Sequence, residues 1–95
     1  MKRYVVVVRF TEQGARAIKK SPARAAAFCN AAEKCGVRVE TQLWTAGSFD
    51  GILVLRAADA TKAHGMIAKL AAVGNVRTET LQAFDAREFA TIVGK

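Results

Sequence analysis

The residues best suited to bind a ligand are concentrated in one short segment, Trp44–Asp50, which reads WTAGSFD. It holds the only tryptophan of the chain, together with a glycine, a phenylalanine and an acid. An indole ring stacks on flat ligands, and a carboxylate beside an apolar pocket serves as a general base or binds a cationic group. We therefore place the candidate ligand-binding site here, with Trp44, Phe49 and Asp50 as its residues.

Each of these residues also has a purely structural interpretation. The Asp50 carboxylate would accept backbone N–H groups of the turn, or pair with Arg9 or Arg77 on a strand. Trp44 would fill a subunit interface, and Gly47 would supply a turn conformation that other residues avoid. The sequence leaves both interpretations open.

A second candidate binding segment follows the second long helical stretch. Arg77 and Thr78 carry groups that bind a carboxylate or a phosphate. In the structural alternative, Asn75 takes a left-handed cap position, and Arg77 pairs across strands with Glu79 or Glu40. We include Arg77 and Thr78 among the candidate ligand-binding residues.

Larger catalytic or metal-binding patterns do not occur in the sequence. It has no Ser-His-Asp set, no Cys-His pair at a meaningful spacing, no glycine-rich phosphate loop and no cluster of metal ligands, so we predict neither a metal nor a cofactor. Cys29 and Cys35 would point about 120° apart on a helix and are interpreted as reduced thiols. His64 is interpreted as a surface residue.

The composition indicates a small self-associating domain. A chain of 95 residues is expected to form one domain, residues 1–95, yet 52% of it is hydrophobic, more than a small monomer buries. Association with another copy hides the surplus. No apolar run approaches the ~20 residues of a membrane helix, and no complete secretory signal is present, so we expect a cytoplasmic protein.

The net charge of +7 has one local concentration, at Arg16, Lys19, Lys20 and Arg24. A solvated helix face is the simplest interpretation, and attraction of an anion or a nucleic acid is the alternative. Nucleic-acid binding by the predicted sheet is disfavoured, because the strand Gly51–Leu55 has no aromatic ring to stack on a base.

The apolar periodicity places these residues on a β-α-β-β-α-β framework with an added C-terminal helix. The predicted strands are Tyr4–Phe10, Val37–Trp44, Phe49–Ala57 and Val76–Phe84. The predicted helices are a short piece at Ala15–Lys20, one from the Ser21-Pro22 N-cap to Gly36, one from Asp59 to Gly74, and one that begins at Asp85 with a capping box to Glu88.

This order predicts a ferredoxin-like α+β fold with an antiparallel sheet in the order 4-1-3-2. Strands one and three are apolar on both faces, as the two central strands should be. Both long helices would cover one face and leave the other bare, with Trp44 on the bare face. We expect two such sheets to pack face to face as a dimeric α/β barrel that encloses a ligand cavity.

Four segments of the chain resemble the GYD domain family of small bacterial and archaeal proteins. They are Phe10–Gly14, Ile18–Ala25, Trp44–Asp50 and Gly74–Phe84. The resemblance implies a ferredoxin-like fold of the dimeric α/β-barrel type, and it carries no established activity. The family is named for a Gly-x-Tyr-Asp motif, from which this chain departs at Phe49, so it lacks the phenol hydroxyl there.

These observations favour a non-catalytic homo-oligomeric module, a homodimer or a dimer of dimers, that binds a small anionic or aromatic ligand. The alternative is a cofactor-independent enzyme of the monooxygenase or isomerase type that uses an inter-sheet cavity. Its working residues would be Trp44, Asp50 and Arg9 or Arg77. That alternative rests on analogy of fold alone.

Overall fold

The computed structural model of the chain describes residues 1–94. Lys95, the last residue of the single domain expected from the sequence, lies outside the described residues. The elements, in chain order, are β1 (Lys2–Phe10), α1 (Glu12–Arg16), a 3-10 turn (Ile18–Lys20), α2 (Ser21–Lys34), β2 (Val37–Trp44), β3 (Gly51–Ala57), α3 (Ala60–Ala72), β4 (Val76–Ala83) and α4 (Ala86–Ile92).

The four strands form one antiparallel sheet in the order β2-β3-β1-β4. This is the predicted order counted from the opposite edge, and it makes the two fully apolar strands, β1 and β3, the central pair. Their β-branched and leucine side chains point to both faces, because successive residues of a strand alternate between faces. The α+β class and the strand order are therefore confirmed.

One face of the sheet, here called the helix side, carries α2 and α3 and the hydrophobic core. Alternate residues of β1 and β3 point into it, and each helix contributes an apolar stripe. Tyr4, Val6 and Leu55 are all but completely buried at its centre. The remaining core residues are Val37, Leu53 and Ala57 from the sheet, Phe28 and Ala32 from α2, and Ala63, Met66 and Ile67 from α3.

The short helix predicted at Ala15–Lys20 has other bounds in the structure, where α1 ends at Arg16 and a separate 3-10 turn covers Ile18–Lys20.

The ends of α2, α3 and α4 follow the predicted signals with two exceptions. Asp59 and Asp85 cap α3 and α4 through their side chains, and Asp85 forms the full capping box with Glu88. At the end of α3, Gly74 takes the left-handed conformation with φ of 90°, whereas Asn75 does not, so the cap expected at Asn75 is wrong. A residue without Cβ adopts this conformation at least cost.

The second exception is Ser21, which is the first residue of α2 rather than its N-cap. Lys20 precedes the helix and makes no side-chain capping bond. Ser21 itself has helical backbone angles, with φ of −57° and ψ of −45°, so it is not in the N-cap position, and its hydroxyl contacts a tryptophan described below.

The opposite face of the sheet, here called the open face, has no helix packed across it. The chain is consequently thin, measuring 48 × 31 × 18 Å between Cα atoms, with a radius of gyration of 14.0 Å. A compact domain of this length has a radius of gyration of about 12 Å. The shape is that of two stacked layers. None of the helices in the described chain has the length and apolar character needed to cross a membrane.

Candidate functional site

A β-bulge in β2 decides where the candidate tryptophan points. Pairing with β3 shifts between Val39 and Thr41, which leaves Glu40 as an extra residue. After such an insertion the alternation of faces moves by one residue. Trp44 therefore lies on the helix side and Leu43 on the open face, so the prediction that Trp44 belongs to the bare face is wrong.

The Trp44 ring is anchored at the edge of the helix layer. Its Nε1–H donates to Ser21 Oγ at 3.0 Å, and Ser21 is buried. The side chain as a whole stays 50% exposed. Trp44 is thus held in place by its polar edge while its apolar surface remains available at the mouth of a cavity.

Asp50 lies in the turn just before β3 and ties that turn to the end of β1. Its Oδ2 accepts from the backbone N–H of Phe10 at 2.9 Å, and its own N–H donates to Val8 O at 2.8 Å. The carboxylate thus accepts a backbone N–H, though from β1 rather than from its own turn. Arg9 makes no ion pair with it, since Arg9 Nε donates to Ser48 O at 3.2 Å.

Trp44 and Asp50 line the same cavity, which lies between the sheet and the two long helices. Its volume is about 370 Å³. Its walls are almost wholly apolar. It lies between the two helices because α2 packs mainly on β2, whereas α3 packs on β3 and β4. The side chains that form most of the wall are Val8, Phe10, Phe28, Leu53, Met66 and Leu70.

Arg24 lines the cavity, although it was predicted only as part of a basic helix face, with attraction of an anion as the alternative. It lies in the first turns of α2, where its Nη1 donates to Ala17 O at 3.0 Å. Its Nη2 is buried and has no hydrogen-bond partner among the residues that the structure describes. The available signal was its spacing, because Arg24 precedes Phe28 by four residues and shares a helix face with it.

The basic concentration that contained Arg24 is divided in the structure. Arg16 points outward and pairs with Glu12 at 3.2 Å, while Lys19 and Lys20 are exposed. Arg24 turns inward to the cavity instead. The four basic residues therefore do not act as one solvated face.

The other predicted binding residues lie apart from the cavity. Phe49 and Thr78 are half-buried and do not line it. Arg77 is opposite Arg9 in the register of β1 and β4, and both point to the open face. The expected partners of Arg77 are also wrong: Glu40 lies 3.3 Å from Arg56 and 4.0 Å from Arg3, at the far end of that face.

The open face has an apolar band between two groups of arginines. Leu43 and Leu81, on the two edge strands, are 56% and 45% exposed. Between them lie the half-buried side chains of the central strands, Val5, Val7, Ile52 and Val54. One end carries Arg3, Arg38 and Arg56, and the other carries Arg9 and Arg77.

Metal-binding and disulfide chemistry find no support in the described structure. No group of three His, Cys, Asp or Glu side chains is placed to share a metal ion anywhere in residues 1–94. Cys29 and Cys35 are both free thiols. Cys29 Sγ lies 3.5 Å from Gln42 Oε1, which adds a weak contact between α2 and β2.

Comparison with known families accounts for nearly the whole chain. The sequence matches the family described as GYD domain over residues 4–93. The chain belongs to the GYD family. A relative from Thermus thermophilus, named "Glutamine synthetase and cystathionine beta-lyase binding protein", is 33% identical over 84 residues, which cover 87% of this chain and 88% of the relative.

A solved structure shares the fold. The crystal structure of the protein TTHA0845, also from Thermus thermophilus, matches with a TM-score of 0.59 at 23% sequence identity. The match covers 90% of this chain and 96% of the other. At this identity the likeness supports the α+β architecture and nothing about chemistry.

Proposed function

We propose that this GYD protein is a cytosolic, non-catalytic binding module that holds a small ligand in the helix-side cavity and works as a homo-oligomer. The cavity carries the proposal. Sites for small molecules are mostly apolar clefts of about 300–1,000 Å³ with a few polar groups. The volume of about 370 Å³, the apolar walls and the half-exposed Trp44 ring fit that description.

The proposed site differs from the inter-sheet cavity expected from the sequence. Trp44 and Asp50 are on the helix side, so a ligand that touches both is held within one protomer. An enzyme built from these two residues with Arg9 or Arg77 loses support, because the sheet separates the two pairs. The Asp50 carboxylate is also engaged with the Phe10 N–H.

Fluorescence of the single tryptophan tests whether the cavity takes up an apolar molecule. Titration with 1-decanol is expected to shift Trp44 emission in a saturable manner, because the ring lies at the cavity mouth. Ala25→Phe, which fills the cavity, should weaken this binding at least about tenfold. Ala26→Phe is the matched control, since Ala26 is exposed and outside the cavity wall.

An unsaturable response in the unmodified protein, or equal weakening by both substitutions, would contradict the proposal. Thermal melting of each variant shows whether it has folded. A variant that melts like the unmodified protein reports on binding alone.

The open face supports the homo-oligomeric part of the proposal. Leu43 and Leu81 expose apolar surface along its two edge strands, and the molecule is only 18 Å thick. A two-fold dimer places the same patch of each copy against the other, so a second copy would add the missing layer. Exposed apolar side chains of α4, Phe89 and Ile92, extend the surface that such a dimer can bury.

Sedimentation at micromolar concentration tests this assembly. Val54→Glu places a charge at the centre of the open face and is expected to yield a single-chain mass. Ile18→Glu is the matched control, because Ile18 is 52% exposed but lies on the 3-10 turn, away from that face. A single-chain mass for the unmodified protein would overturn the homo-oligomer and leave the cavity untouched.

The name of the Thermus relative supports a protein partner for this chain as well. We propose that the assembled module also binds a metabolic enzyme. A purified glutamine synthetase from the same host is the partner to test, by sedimentation of the two proteins together. Co-migration that Val54→Glu abolishes would indicate that the assembled form binds, whereas independent migration would argue against this partner.

A further inference from the structure

The polar groups that line the helix-side cavity differ in how completely their hydrogen bonds are satisfied. Trp44 Nε1–H is bonded to Ser21 Oγ at 3.0 Å, and Asp50 Oδ2 accepts the Phe10 N–H at 2.9 Å. Arg24 is different, because only its Nη1 has a partner. Its Nη2 is buried without one in the described part of the chain.

A buried guanidinium nitrogen without an acceptor indicates a missing partner. Buried polar atoms in proteins almost always find a hydrogen bond, and exceptions deserve a specific explanation. Arg24 lies in the wall of that cavity, whose lining is mostly apolar and whose other charged residues are Asp50 and the exposed Lys69. An acceptor that entered the cavity would reach it once the Arg24 side chain turns to expose Nη2, with α2 kept in place.

We propose that the ligand of this cavity is a small organic carboxylate, with an apolar body against the cavity wall and one carboxylate that accepts from Arg24 Nη2. This inference rests on the proposed binding function. Guanidinium donors bind carboxylates through short, charge-assisted hydrogen bonds, which are stronger than neutral ones. The net charge of +7 further raises the local concentration of anions.

Asp50 limits the ligand to one anionic group placed at the Arg24 end. Arg24 and Asp50 both line the cavity, and they form no ion pair within 4.0 Å in residues 1–94. A second negative charge near Asp50 would be repelled. A monocarboxylate therefore fits better than a dianion.

The charge preference is tested with four ten-carbon probes: decanoate, 1-decanol, decylamine and decyl phosphate, each below its micelle concentration. Trp44 emission reports the dissociation constants. Decanoate should bind about tenfold more tightly than 1-decanol, the gain expected from a hydrogen bond to a charged donor. Decylamine should bind more weakly than decanol, and decyl phosphate more weakly than decanoate.

Arg24→Met should remove the preference for decanoate while leaving decanol binding within about threefold. Arg24→Lys should recover part of it, since the charge returns without the fork of donors. Arg16→Met is the matched control: it removes one positive charge from the same region, and Arg16 is exposed and paired with Glu12. Arg16→Met should leave all four dissociation constants unchanged.

The outcomes separate this inference from the function on which it rests. Equal affinity for decanoate and decanol overturns the carboxylate and leaves the cavity intact. Tightest binding of decylamine would make Asp50 the anchor and refute the role of Arg24, and tightest binding of decyl phosphate would replace the carboxylate by a phosphate. Failure of every probe refutes the binding cavity itself.

Discussion

The two faces of the sheet are built from the same kinds of residue and have opposite fates. On β1 and β3, Val6 and Leu55 point to the helix side and are fully buried, while their neighbours Val5 and Val54 point to the open face and are only half-buried. Composition does not distinguish the faces. The difference comes from the connections, because both long crossovers of a split βαβ unit return over the same side.

The two faces of the sheet carry two kinds of apolar surface. The helix side contains a concave cavity with an anchored tryptophan and an arginine, which suits a small molecule. The open face is broad and bordered by arginines at both ends, which suits another protein surface. Both roles were predicted for the open face, whereas we propose ligand binding on the helix side and self-association on the open face.

The largest expected effect on stability comes from a substitution on the helix side, and the matching substitution on the open face should behave differently. Leu55→Ala should lower the free energy of unfolding by about 2–5 kcal/mol at every protein concentration, since it leaves a cavity in the core. Val54→Ala should cost more stability at high protein concentration, where copies associate, than at low concentration. Urea denaturation at low and at high protein concentration measures both, and a concentration-independent loss for Val54→Ala would contradict the proposed assembly.

A smaller effect shows where the helix side is tightly packed. A Cβ on Gly14 would collide with the backbone oxygen of Asn75, so Gly14→Ala should cost about 1–3 kcal/mol through backbone displacement. Gly65→Ala is the control, because nothing lies within 4 Å of its Cβ position in α3. It should gain about 0.5–1 kcal/mol in thermal or urea unfolding. Equal effects would mean that α1 is not held against β4.

The anchor of Trp44 is expected to matter less for stability than for position. Ser21→Ala removes the acceptor of the indole N–H and should cost about 1 kcal/mol in urea unfolding. It should also broaden the distribution of Trp44 fluorescence lifetimes. Ser48→Ala removes an exposed hydroxyl as a control, and identical lifetimes in the two variants would show that the bond does not fix the ring.

The smallest effect concerns the core of the helix side. Tyr4 is buried, and its hydroxyl has no hydrogen-bond partner in the described structure. Tyr4→Phe removes a buried hydroxyl that has no hydrogen bond to lose. The free energy of unfolding should therefore rise, by less than about 1 kcal/mol. A loss well above that value, measured by urea denaturation, would reveal a partner for the hydroxyl.

Much of the fold was predictable because its signals are local. The double-sided apolar character of β1 and β3 predicted the strand order, and glycine and aspartate marked the helix ends. The face of Trp44 was not predictable in the same way, since the bulge at Glu40 depends on pairing with β3. The break of the apolar alternation at Thr41 was its only trace in the sequence.

The candidate site was predictable in part for the same reason. The turn at Trp44–Asp50 does border a cavity. The cavity exists because α2 and α3 pack over different strands, and this tertiary arrangement is not visible in any local sequence pattern. Arg24 was expected on a solvated helix face, because it lies close in sequence to Lys19 and Lys20. Its inward orientation follows from the position of Phe28 one turn later on α2.

The reciprocal cap of α4 has a consequence for a helix that buries none of its side chains. Asp85 and Glu88 each bond the other's backbone N–H at 2.8 Å, so two backbone donors of this short helix are satisfied within the chain itself. A surface that used Phe89 and Ile92 would therefore lose less conformational entropy on binding than one built on an uncapped segment.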